Sequence, residues 1–373
     1  RDSIFSELKI SRGGRAYYYT EASFPEIDKS RIDGLIIIVI KGVIKDAAFF
    51  EMKNKNNGID KRQIETYLNI SKKLGVGKLV TVSNEFVSDP SHSPVKVRVP
   101  KHITLSHFSW TYLMTKGQLL LFQNEANIKD EDQVEIMREA LFYLDNSVSG
   151  VSGYTQMKPG WKELADNIRA QKTLRHSDQY IEDALLSWYE EEKDIALLMS
   201  RKLGVLVKSS PKGKNSMQDD IKRLVKENYI NGTLSVKNSV SDIKVKVEFE
   251  RRTVSMSVKV VPPMTKGLKG RISWIAKQLE NSRKRSESSF KKIEANIWVE
   301  ADVKYAKANE MVRLSEVENL NELTRGKEIQ AFHVTAIQEF GANFASTRKF
   351  IELIEAMVVN YYGGIVQQMT SWS

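Results

Sequence analysis

RIDGLIIIVIKGVIKDAAFFEMKNKNNGIDKRQIETY, residues 31–67, is the stretch whose reading decides the fold. Asp33 opens one apolar run, and a second closes on Glu51-Met52-Lys53. Glu51 and Lys53, two apart on a strand, point to the same face. A buried carboxylate is costly unless a charge neutralises it, so an acidic pair and a lysine gathered where two buried strands end have the makings of a metal site. The connection between the strands decides whether Asp33 joins them. A three-residue loop centred on Gly42 gives antiparallel partners whose numbers sum to 84 and sets Asp33 opposite Glu51. A two-residue Lys41-Gly42 turn misses by one residue and needs a bulge. A loop centred nearer Lys45 would pull the acids apart.

Outward from this stretch, residues 3–10 have the pattern of an amphipathic helix end with Ile4, Phe5 and Leu8 on one side. Gly13-Gly14 breaks the chain, and residues 16–20 form a β-prone first strand. After the turn Asn56-Asn57-Gly58, a helix is expected over residues 60–74, with Asp60 as N-cap and Ile64, Tyr67, Leu68 and Leu74 as its buried stripe. Gly75-Val76-Gly77 ends it, and residues 78–83 make the next strand. The order is helix, three strands, helix, strand, an α/β arrangement whose last step is a crossover to a parallel neighbour.

The residues named so far resemble the PD-(D/E)XK nuclease superfamily, in which an Asp and, on the next strand, an acid two residues before a Lys hold Mg²⁺ for phosphodiester hydrolysis. Gln63-Ile64-Glu65-Thr66-Tyr67 is similar to the QxxxY motif of the RecB-like and lambda-exonuclease-like branches. Gln63 and Tyr67, four apart, share a helix face. Ile32 stands where the superfamily's name has a proline. The resemblance covers the N-terminal part of the chain and implies a restriction-endonuclease-like mixed sheet flanked by helices.

It implies, further, that Asp33, Glu51 and the Met52 carbonyl hold Mg²⁺, with Mn²⁺ able to substitute. Lys53 would orient the attacking water or neutralise the transition state, Gln63 and Tyr67 would position the scissile phosphate or the metal-site side chains, and Glu7 would supply an extra acid. The implied function is a metal-dependent nuclease acting on nucleic acid, DNA first, in restriction or defence. The alternatives are a catalytically degenerate nuclease fold serving as a nucleic-acid-binding or assembly module, and a protein that carries Asp33, Glu51 and Lys53 as plain surface charges.

At 373 residues and 41% hydrophobic content the chain should hold two domains with ordinary cores. With no cysteine it has no disulfide, thiolate zinc site or cysteine nucleophile, which fits a reducing cytoplasm. The apolar run 35–40 is far too short to span a bilayer, so no membrane is expected. The net charge of +10 suits an anionic partner such as nucleic acid, but it is spread evenly, residues 1–175 and 176–373 each carrying +5.

Downstream, residues 89–100 form a loop in which 95–99 alternate like a strand, and 104–114 are strand or short helix at the edge of the core. His102 and His107, without partner spacing, are packing residues. A helix over 130–144 buries Val134, Met137, Leu141 and Leu144, residues 147–160 connect, and helices follow over 161–174 and 178–203. The run Glu190-Glu191-Glu192 on the last of these is assigned to a solvated face. The polar stretch 209–215 is the best linker. The expected organisation is therefore a nuclease-like domain over 1–175, a helical connector and linker over 176–215, and an α+β domain over 216–373. That last domain carries no catalytic motif and would serve targeting, nucleic-acid binding or assembly, including contacts to a second copy or another protein. Its clearest signal is the alternating run 241–261 with Arg251-Arg252 near its middle, an antiparallel hairpin. A helix over 270–282 then runs into the basic triplet Arg283-Lys284-Arg285, assigned to a solvated helix end.

Overall fold

Lys41 and Gly42 both adopt left-handed backbone, with φ of 51° and 78°, the geometry of a two-residue hairpin turn. The strands leave that turn paired Ile40 with Val43 and Val39 with Ile44, and the register then shifts so that Ile38 pairs with Asp46 and Gly34 with Phe50. Lys45 is the extra residue, a β-bulge. The short turn and the bulge together restore the register of a three-residue loop, and continuing it by one residue brings Asp33 opposite Glu51.

The structure is a computed structural model that describes residues 2–55, 57–87, 91, 93–124, 130–210 and 214–372. Asn56, parts of the loop expected over 89–100 and residues 211–213 of the expected linker lie outside the described residues. The chain divides into two compact units, residues 1–154 and 155–373.

The first unit contains α1 (Asp2–Glu7), β1 (Arg15–Phe24), β2 (Asp28–Ile40), β3 (Val43–Met52), α2 (Lys61–Leu74), β4 (Lys78–Ser83), β5 (Thr104–Ser109), α3 (Trp110–Asn124) and α4 (Glu131–Asp145). Its sheet runs β1-β2-β3-β4-β5. The first three strands are antiparallel and the last two run parallel to β3, so the sheet is mixed. One face is packed by α2: Ile64 and Leu68 join Leu35, Phe49 and Leu79 in one cluster. On the other, Phe5 of α1 and Leu8 just after it meet Ile38, Ala48, Val80 and Phe108. Each buried branched or aromatic side chain of this kind contributes about 2 kcal/mol when removed from water, so β2 and β3, apolar on both faces, anchor the layers.

Helix α2 starts at Asp60, whose carboxylate accepts the Gln63 N–H at 2.9 Å, and stops at Gly75 in left-handed backbone. Leu74 is exposed rather than buried, and Ile70 fills the stripe instead. On α4, Val134 and Leu141 are buried, while Met137 and Leu144 are only half-buried. The alternating residues 95–99 form no strand; Val95, Val97 and Val99 pack against the α2-side cluster as irregular chain.

The second unit contains α5 (Pro159–Arg169), α6 (Gln179–Leu203), β6 (Val207–Ser209), α7 (Lys214–Glu227), β7 (Tyr229–Val236), β8 (Ile243–Glu248), β9 (Thr253–Val260), α8 (Leu268–Arg285), α9 (Glu287–Ile293), β10 (Ile297–Val303), β11 (Glu310–Arg313), α10 (Leu320–Leu323), β12 (Ile329–Glu339) and α11 (Lys349–Gly364). Its seven strands run β11-β10-β12-β9-β8-β7-β6, every neighbouring pair antiparallel. The hairpin expected over 241–261 is β8–β9. Helices α5 and α6 belong here and not to the first domain or a connector. Trp161 of α5 packs among Phe249, Phe344 and Phe350, and α6 sets Trp188 against β7. At Gly232, inside β7, a Cβ would stand 2.8 Å from the Trp188 ring, so a position with turn-like sequence is a close-approach site within a strand.

The acid run on α6 corrects another expectation. Glu190, Glu191 and Glu192 are buried, not solvated, because α6 is enclosed around nearly its whole circumference. The basic triplet at the end of α8 stays at the surface, with Arg283 paired to Glu294 and Lys284 to Glu280. Among the described residues no helix is long and apolar enough to cross a membrane.

Candidate active site

The Asp33 side chain lies inside β2, which starts five residues before the expected opening at Asp33, and it reaches the end of β3: its Oδ2 accepts the Met52 N–H at 2.7 Å. Glu51, one residue earlier, is fully enclosed. The Lys53 ammonium stands 2.5 Å from Glu51 Oε1 as an ion pair. Burial pushes the Glu51 carboxyl above the usual carboxylate range, the Lys53 ammonium pulls against that, and the charge of Asp33 adds to the upward push.

Lys53 is held by its own backbone. Its N–H donates to the Val82 carbonyl at 2.7 Å, continuing the β3–β4 ladder, and its carbonyl accepts from Trp110 Nε1 at 2.7 Å. From α2, Gln63 Nε2 donates to the Tyr67 hydroxyl at 2.8 Å, and that hydroxyl donates to the Arg31 carbonyl at 2.6 Å. Burial first, and then the charges of Glu51 and Asp33, push the Tyr67 phenol up to about 12, so the hydroxyl keeps its proton. Tyr67 therefore braces β2 two residues before Asp33, and Gln63 braces Tyr67.

The structure brings Asp33, Glu51, Met52, Lys53, Gln63 and Tyr67 together where the end of β3 lies beside the middle of β2. It places Glu7 elsewhere. That carboxylate receives the Tyr112 hydroxyl and pairs with Lys116 at 2.8 Å, both on α3. His107 is buried, with Nδ1 2.8 Å from Thr81 Oγ1 and Nε2 2.8 Å from the Glu85 carbonyl, which matches a packing role.

Two supports had no signal in the sequence. Trp110 meets Lys53 across 57 residues of chain, and Glu85, whose Oε2 accepts the Ile59 N–H at 2.8 Å, ties the loop before α2 to the end of β4.

Among the described residues no three His, Asp or Glu side chains gather as a metal cluster. The site offers two carboxylates, Glu51 fully enclosed and Asp33 with Oδ2 already engaged by a backbone N–H. That donor set fits Mg²⁺, which takes hard oxygen ligands and keeps several waters rather than a full protein cage. It does not fit zinc in a closed structural site, which needs four protein ligands. No protein-family model, curated protein or solved structure matches the chain.

Proposed function

We propose that the first unit is a restriction-endonuclease-like domain and that the protein is a Mg²⁺-dependent nuclease hydrolysing phosphodiester bonds, with DNA as substrate. One observation carries this reading: the Lys45 bulge puts Asp33 in register with Glu51, while Lys53 stands 2.5 Å from the enclosed Glu51 carboxylate.

Asp33 and Glu51 are the residues that would hold the ion, with the Met52 carbonyl as a third oxygen. Bound Mg²⁺ supplies a water of lowered pKa and stabilises charge on the phosphate. Lys53, clamped through its backbone by Val82 and Trp110, keeps an ammonium where the diester would gain negative charge. Gln63 and Tyr67 act as positioning residues, since their hydrogen bonds are spent on one another and on the Arg31 carbonyl. Fold-level analogy extends the reading to a restriction or defence role in which the second unit supplies targeting or assembly.

The test is purified protein with linear, circular and single-stranded DNA and with RNA, in Mg²⁺, Mn²⁺ or EDTA, beside Asp33→Ala, Glu51→Ala and Lys53→Ala. The expected result is cleavage of DNA in Mg²⁺, lost in EDTA and in each variant. Cleavage that survives all three substitutions ends the proposal. Tight, salt-sensitive DNA binding without turnover would identify a degenerate nuclease fold acting as a binding module.

A further inference from the structure

Glu191 lies in the middle of α6, fully enclosed, and neither of its carboxylate oxygens has a hydrogen-bond partner among the described residues. The neighbouring acids of the run are engaged. Glu190 pairs with Lys158 from the residue before α5, and Glu192 Oε1 accepts the Thr233 N–H of β7 at 2.6 Å. From α7, Asp220 accepts the Tyr189 hydroxyl at 2.6 Å and pairs with Arg223, also at 2.6 Å.

The charged groups acting on Glu191 are both acids: buried Asp194, three residues along α6, and Glu355 from α11. Arg201 and Lys202 act on Glu355, as do Asp194 and Glu352. An ionised carboxylate with no donor, no cation and two acidic neighbours is about the least favourable charge a protein interior can hold. These acids form no cluster suited to a metal ion among the described residues.

We propose that the folded protein carries Glu191 as a neutral, protonated carboxylic acid, and that this bound proton links the stability of the second unit to pH. The proposal is independent of the nuclease reading. Burial and the two acids push the Glu191 carboxyl well above its ordinary range, and burial with Asp194 pushes Glu355 up to about 7. Above the ordinary carboxylate range the folded state therefore holds more protons than the unfolded chain, so stability falls as pH rises. Glu355 completes its share near pH 7.

The experiment is urea unfolding of the full chain from about pH 5 to about pH 9, followed by tryptophan fluorescence, since Trp161 and Trp188 are fully enclosed in the second unit. Wild type should lose midpoint steadily as pH rises. Glu191→Gln, which keeps the shape and removes the titration, should show a smaller loss, and Glu191→Gln/Glu355→Gln a nearly flat profile. Infrared spectra of the folded wild type at neutral pH should contain a protonated-carboxyl band that Glu191→Gln deletes. A Glu191→Gln profile parallel to wild type, or no such band, overturns the proposal. If Glu191→Gln does not fold, the infrared band of wild type still decides: its presence at neutral pH and its persistence in Glu355→Gln support the assignment, and its absence overturns it.

Discussion

Glu51 in the first unit and Glu191 in the second are both fully enclosed carboxylic side chains. Their surroundings are opposite. Glu51 ends a strand with an ammonium 2.5 Å away and a second acid on the neighbouring strand, while Glu191 sits mid-helix facing two acids. A lysine pulls against the upward push of burial on the first; on the second, burial and both charged neighbours push the same way. A buried acid therefore marks a candidate reactive centre only when its surroundings can sustain its charge.

The sharpest test of that contrast is functional. Glu51→Gln should lower Mg²⁺-dependent cleavage by about three orders of magnitude, the scale of losing a principal electrostatic group, whereas Glu191→Gln should leave the rate unchanged. Equal losses in both variants would dissolve the distinction.

The next test removes the cation. Lys53→Met leaves the Glu51 charge enclosed and unpaired and should destabilise the first unit by about 3 kcal/mol, the cost of breaking a buried pair from one side. Adding Glu51→Gln should restore most of it, a coupling that a double-mutant cycle measures. Hydrogen exchange resolved over peptides of residues 1–154 assigns the loss to the right unit. An additive double mutant would mean the two side chains do not share one environment.

The smallest effect concerns the brace. Tyr67→Phe removes the hydroxyl between Gln63 and the Arg31 carbonyl and should cost about 2 kcal/mol, typical of two hydrogen bonds. Cleavage should fall without vanishing, because Asp33 loses its support but not its carboxylate. Complete loss would instead give Tyr67 a direct part in the chemistry.

The candidate site was legible in residues 31–67 because its ingredients are local: an acid just before an apolar run, a Glu-x-Lys at a strand end, and Gln63 and Tyr67 on one helix face. What was not legible is how they are brought together. The two-residue Lys41-Gly42 turn alone would have left Asp33 out of step, and nothing in the residue types announces the Lys45 bulge that corrects it. Glu7 looked available as an extra acid, but Tyr112 and Lys116, more than a hundred residues away in the chain, claim it.

The second unit shows the same division more strongly. The alternating pattern of 241–261 names a hairpin whatever surrounds it, because a two-residue period is a property of the strand itself. The burial of Glu190, Glu191 and Glu192 is not a property of α6. Three consecutive acids point in three directions around a helix, and only packing on several sides can enclose them all.

The sequence by itself determined the order helix, three strands, helix, strand at the start of the first unit and the apolar identity of β2 and β3, since periodicity, caps and turn residues act over a few positions. Only the tertiary structure decided the strand register, the start of the second unit at Thr155 and which buried acids have a cation beside them. Those depend on distances between segments far apart in the chain, where desolvation and pairing are settled by neighbours that no local pattern specifies.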